Sequence, residues 1–258
     1  MKLRTASALA GLLTTLVSGP TPTEAAAAKQ NSGAEVRHRI KTKRGPVYVY
    51  RPAKVSPTFT VVYVHGFYNN VDSAWKEHDL AAKFERSHLA ATFVVPEAPT
   101  SPQEPVVWTS LDDLLSTVRA AKPKALPRGG PIVLVGHSAA YKTMVNWLVH
   151  PRVREVFLVD ALYGFEDEYA LWLTRSQDHR IVVVAKTTDE WVTPFAKRFR
   201  FGIKLGEIPS VPTSRLRHTR MLTMRSQYDH MALVKDDFPM AALLRLSRYS
   251  PKAPKGGK

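Results

Sequence analysis

One serine stands out for its surroundings. The apolar run Pro131-Ile132-Val133-Leu134-Val135 leads into Gly136-His137-Ser138-Ala139-Ala140, after which residues 139–149 read as a helix. A buried strand that stops at a glycine, presents one serine and restarts as a helix makes a nucleophile elbow. The tight turn pushes the hydroxyl into solvent at the carboxyl edge of a sheet, and only small residues fit two positions before and after it. Gly136 and Ala140 fill those positions, in the pattern G-x-S-x-A. A hydroxyl is a poor nucleophile at neutral pH and needs a base within hydrogen-bond reach. An imidazole can take the serine proton and return it to a leaving group, and a carboxylate must hold that imidazole in the right tautomer. The pentapeptide therefore calls for a histidine and an acid brought to it by the fold.

The elements that would bring them are readable along the chain. Segments 36–42 and 46–51 flank the turn Lys43-Arg44-Gly45 as a hairpin. Residues 58–64 form a β-branched and aromatic run, the mark of a strand buried on both faces. Asp72 is placed to cap a helix over 73–87 with Trp75, Leu80, Ala81 and Phe84 on one stripe. A strand over 91–95 and a helix from Ser110 to residue 121 come next, then the elbow strand and its helix. Segments 153–159, 180–185 and 220–224 read as three more strands, and a last helix covers 237–249 with Pro239 in its first turn. Strands alternating with helices imply a doubly wound, mostly parallel sheet of eight strands, with an antiparallel hairpin at its start. With 258 residues, 44% of them hydrophobic, the chain can bury the core of one large α/β domain.

This order of elements, from about residue 36 to 249, resembles the α/β-hydrolase family, and three further stretches carry the resemblance. Val64-His65-Gly66-Phe67 looks like the family's oxyanion loop. Lys186-Thr187-Thr188-Asp189-Glu190-Trp191-Val192-Thr193-Pro194 is similar to its acid loop. Gln227-Tyr228-Asp229-His230-Met231 follows the last strand, where the family places its histidine. The resemblance implies a single-domain α/β-hydrolase with a small cap or none, and a triad of Ser138, His230 and an aspartate. Asp189 follows the strand that usually carries the acid and is preferred; Asp160, at the end of the preceding strand, stays open as the alternative. The backbone N–H groups of Phe67 and Ala139 are the expected oxyanion donors, with Gly66 letting the chain pass close to the substrate. His65 is read as a brace and His137 as packed. Tyr68, Tyr141 and Tyr163 are expected to touch substrate. Only about twenty residues, 160–179, separate two strands where the family's lid lies, which implies a fairly open cleft.

The chain contains no cysteine, its other histidines have no metal-ligand spacing, and no glycine-rich phosphate loop is present, so neither a metal nor a nucleotide cofactor is expected. Residues 1–27 have a basic start, an apolar stretch and small residues for cleavage, the layout of a signal peptide for export to the periplasm or the outside. A polar linker (28–35), the hydrolase domain (36–249) and a basic tail (250–258) would follow, with no membrane span in the mature chain. The net charge is +15, and +14 once Lys2, Arg4 and Glu24 are removed with the leader. Such a charge attracts polyanions. In an exported protein, anionic lipid head groups or envelope polymers suit it better than nucleic acid. The basic segment 197–220 could form an aromatic-bearing wall beside the site. The expected function is a secreted serine hydrolase, carboxylesterase- or lipase-like, acting on an ester through an acyl-enzyme. An amidase or peptidase of envelope material and a non-catalytic binder of anionic polymers are the alternatives.

Overall fold

Runs of β-branched residues build the centre of the molecule. The structure, a computed structural model, describes residues 35–251. The leader expected over 1–27, nearly all of the linker and the tail from residue 252 lie outside the described residues. The strands are β1 (Val36–Ile40), β2 (Val47–Arg51), β3 (Phe59–Val64), β4 (Ala91–Pro96), β5 (Ile132–His137), β6 (Val153–Val159), β7 (Arg180–Ala185), β8 (Ile203–Leu205) and β9 (Met221–Arg225). They form one sheet in the order β1-β2-β4-β3-β5-β6-β7-β9-β8. The pairs β1–β2 and β2–β4 are antiparallel and all others parallel. The ninth strand is the three-residue β8 at the edge, too short and too exposed to leave an apolar run in the sequence.

Strands β3, β4, β5 and β7 are buried at every position, as parallel strands covered on both faces must be. One apolar layer packs the helix Leu111–Ala121, with Trp108 and Trp147, against one face. The other packs the helices Leu80–Arg86 and Asp237–Arg245 against the opposite face. Among the described residues no helix is long and apolar enough to cross a membrane.

Two helices depart from the sequence expectation. The segment expected as one helix over 73–87 is two, Val71–Glu77 and Leu80–Arg86, with Asp79 in the left-handed region between them at φ 44°. Asn70, not Asp72, is the cap: its side chain accepts the Ser73 N–H at 2.9 Å. Asp72 is engaged elsewhere, by Arg39 at 2.6 Å and the Tyr48 hydroxyl at 2.8 Å. The stretch after Ser138 is a mixed run, 3₁₀ over Ser138–Ala140, α over Tyr141–Met144 and 3₁₀ again over Val145–Trp147.

At the amino ends of the parallel strands, Glu155 on β6 and Arg180 on β7 are both wholly buried. Glu155 lies 3.4 Å from the guanidinium and also accepts the Ser247 hydroxyl at 2.5 Å and the Arg248 N–H at 2.9 Å. Arg180 donates further to the carbonyls of Thr219 and Leu216. This cluster ties the end of the last helix to the sheet. Removing one partner of a buried pair strands the other charge, so Glu155→Leu should lower the unfolding free energy by about 3–5 kcal/mol in urea titrations; a loss within error of zero would show the pair to be dispensable.

Two buried histidines give a second prediction. Burial pushes His78 down to about 4, and burial, with His230 close by, pushes His137 down to about 3. Unfolded histidines titrate near 6.5, so both are depressed in the folded chain. Their contribution is complete above about pH 6.5 and fades as the pH falls, because the unfolded chain then takes up protons that the folded one refuses. Stability should therefore decline between pH 7 and pH 5, at up to about 1.4 kcal/mol per pH unit for each imidazole. Denaturation midpoints that stay level over that range would contradict the burial of both.

Candidate active site

The serine elbow is built by steric exclusion. Ser138 has φ 55°, in the left-handed region where a side chain is strained. A Cβ on Gly136 would lie 2.7 Å from the Cβ of Ala140 and 2.6 Å from the Cε of Met144. The methyl group at Ala140 thus fits because Gly136 carries none, which is how G-x-S-x-A forms the turn. From the neighbouring strand β3, the loop at Gly66 presses its backbone against the serine: a Cβ there would come within 2.7 Å of Ser138 Cβ. His65 braces that loop from beneath, with Nδ1 donating to the Gly66 carbonyl at 2.8 Å and Nε2 lying 2.9 Å from Glu97 Oε1.

The carboxylate that faces His230 is that of Asp160. This residue directly follows β6, the strand beside the elbow strand, is fully buried, and takes φ 45°. Its carboxylate accepts the backbone N–H groups of Lys186, Thr187 and Thr188 at 2.8–3.0 Å and the hydroxyls of Thr187 and Thr188 at 2.8 Å. The remaining donor is His230, whose Nδ1 lies 2.7 Å from Asp160 Oδ2. Burial alone would raise this carboxyl, but the bonds from His230 and from the 186–188 segment outweigh it and hold the group well below the usual carboxylate range.

Asp189, the acid preferred from the sequence, does not meet His230. It opens the helix Asp189–Lys197, where its carboxylate pairs with Arg225 at 3.4 Å and takes the Thr193 hydroxyl at 3.4 Å. The physical reason is the turn after β7. The amides of 186–188 close around Asp160, and the chain then enters a helix that carries Asp189 away.

His230 is fixed from a second side. His137 Nε2–H donates to the His230 carbonyl at 3.0 Å, and the two rings lie 4.5 Å apart. With Nδ1 bound to Asp160, His230 keeps Nε2 for a partner. Ser138 and His230 line one cavity of about 530 Å³. They are not hydrogen-bonded to each other in this geometry; such contacts commonly tighten only when substrate arrives. Phe67 and Tyr68 line the same cavity, together with Asn69, Asn70, Ser73, Glu77, His78, Met231 and Lys235, which sequence reasoning did not single out.

Tyr141 and Tyr163, expected to touch substrate, are not among the lining residues. Tyr163 instead donates its hydroxyl to Thr187 Oγ1 at 2.5 Å, one bond behind the acid, and its ring rests against Tyr141 and Trp191. The basic segment 197–220 contributes nothing to the cavity either: Phe195 and Phe199 turn into the core, and Phe201 lies under the Arg220 guanidinium. Between β6 and β7 the chain forms a short loop and the helix Glu166–Arg175, whose Tyr169, Trp172 and Leu173 are buried, so this segment is part of the layer and not a cap. Among the described residues no three His, Asp or Glu side chains converge as metal ligands.

A model of the alpha/beta hydrolase family matches residues 61–251. Solved structures of similar fold include a ferulic acid esterase, with a TM-score of 0.54 and 11% identity over 83% of this chain and 99% of that one. Carboxyl esterase 2 from the fungus Tuber melanosporum gives 0.53 and 11% over 84% and 86% of the two chains. An esterase from Mycobacterium marinum gives 0.52 and 14% over 88% and 86%. No curated protein matches the chain in sequence. Structural likeness at such identities speaks for the fold, and the family match spans most of the described residues. The chain belongs to the alpha/beta hydrolase family.

Proposed function

We propose that the protein is a serine esterase in which Ser138 is the nucleophile, His230 its base and Asp160 the acid. The observation that carries this reading is the 2.7 Å bond from His230 Nδ1 to a buried carboxylate, in a cavity that also holds an elbow serine. His230 Nε2 takes the Ser138 proton as Oγ attacks the carbonyl, and the imidazolium is stabilised by Asp160, which stays ionised throughout. Two amides serve as the oxyanion donors in this reading. The first amides of a helical turn have no intrahelical acceptor, which leaves the Ala139 N–H free to donate. In the other loop the Tyr68 N–H is already committed to the Thr100 carbonyl at 2.6 Å, which leaves Phe67 as the donor. Collapse of the intermediate passes the proton from His230 to the leaving alcohol and leaves an acyl-enzyme, and a water activated by the same imidazole releases the acid.

The ester bond is favoured over an amide because the similar solved structures are esterases by name. The basic start and apolar stretch of residues 1–27 support export, to the periplasm or beyond. The test is a fluorophosphonate probe combined with steady-state kinetics on 4-nitrophenyl acetate. Wild type should be labelled and Ser138→Ala should not. Asp160→Asn should lower kcat by about 10⁴-fold, the loss expected when a triad carboxylate becomes an amide. Asp189→Asn breaks only its contacts with Arg225 and Thr193 and should stay close to wild type. Labelling that survives Ser138→Ala would remove the nucleophile, and the opposite ranking of the two asparagine variants would return the role to Asp189.

A further inference from the structure

The cavity beside Ser138 has an unusual wall for an esterase that would take a fatty chain. Toward the helices Val71–Glu77 and Ala232–Lys235 it is lined by Asn69, Ser73, Glu77, His78 and Lys235. Much of their hydrogen-bonding capacity is unspent. Among the described residues the half-buried Ser73 hydroxyl and the exposed Glu77 carboxylate and Lys235 ammonium form no hydrogen bond or ion pair within the protein. The Asn69 amide lies 3.3 Å from His78 Nε2. Packing methylene groups against such a wall would cover the Asn69 amide and the Ser73 hydroxyl without meeting their hydrogen bonds, which costs free energy that a ligand bearing hydroxyls does not lose. Nor does the wall suit an ion, because one carboxylate and one ammonium face the same space.

The apolar part of the lining is mainly aromatic. Phe67 and Tyr68 stand on the loop beside the serine, and Tyr68 is 88% exposed. Its backbone is held at φ 60° with the N–H on the Thr100 carbonyl, so the exposed ring stands on a fixed chain at the cavity's edge. A ligand that offers hydroxyls around its edge and C–H groups on its face satisfies both parts of this lining. A volume of about 530 Å³ is ample for one such ring.

We propose that the cavity receives a hydroxylated ring, so that the substrate is a short-chain ester of a sugar or sugar-like polyol. This rests on the esterase reading above. It is tested with the full-length protein on three substrates: a monoacetylated methyl xyloside, 4-nitrophenyl acetate and 4-nitrophenyl octanoate. The acetylated xyloside should be cleaved, and kcat/KM for the acetate should exceed that for the octanoate by about tenfold or more, since the longer chain must desolvate the polar wall. In the double variant Ser73→Leu/Glu77→Leu, KM for the xyloside should rise about tenfold, and the acetate-to-octanoate ratio should fall. Octanoate as the best substrate of a protein labelled at Ser138 would overturn the inference and leave the esterase reading standing, as would an unchanged xyloside KM in the double variant. Wild-type protein that no fluorophosphonate labels would overturn both. The wild-type comparison needs no variant, so the proposal stays testable if the double substitution fails to fold.

Discussion

Six donor groups surround the carboxylate of Asp160, five of them from Lys186, Thr187 and Thr188 and the sixth from His230. Taking a carboxylate out of water costs several kcal/mol unless its lone pairs are met. The fold meets them with the first turn after β7, the strand next to β6, which Asp160 follows. With His230 and those donors together meeting the charge, the Asp160 carboxyl is held well below the usual carboxylate range and stays ionised. Tyr163 extends the same arrangement outward, its hydroxyl feeding Thr187 and that of Thr187 feeding the acid. The histidine loop, far away in the chain, is tied to this core at two points, the Asp160 carboxylate and the His137 ring.

The serine depends on a different constraint, the absence of atoms. Gly66 and Gly136 are needed because a methyl group on either would overlap a neighbour that cannot withdraw, Ser138 Cβ in one case and Ala140 Cβ in the other. Gly136 on β5 and Gly66 in the loop after the adjacent β3 thus let that loop and the elbow approach each other. The neutral state of His137 belongs to the same economy of space: buried behind the serine, it serves as a hydrogen-bond donor to the backbone and not as a second base.

Sequence made the sheet and the elbow legible because both are written in local patterns. Buried parallel strands appear as apolar runs, and the elbow appears as small residues about a serine. What it left ambiguous were contacts decided between strands. Asp160 and Asp189 each end or follow an apolar strand, and nothing in the spacing tells which one the amides of 186–188 enclose. The nearest hint was composition: two threonines precede Asp189, and they prove to be donors to the other aspartate. The start of the helix at Val71 was equally hidden, because Asn70 and Asp72 are both good caps and the choice was made by Arg39 and Tyr48, which draw Asp72 away. The polar cavity wall was invisible for the same reason. It is assembled from the face of one helix and the end of another that meet only in the folded chain.

The bond from His230 to Asp160 is best tested by following the imidazole Nδ1 proton directly, by NMR of protein labelled with ¹⁵N at histidine. A strong hydrogen bond to a buried carboxylate shifts that proton far downfield and slows its exchange. The downfield signal should be present in wild type and in Asp189→Asn and absent from Asp160→Asn. Its loss in Asp189→Asn with retention in Asp160→Asn would contradict the account at its centre.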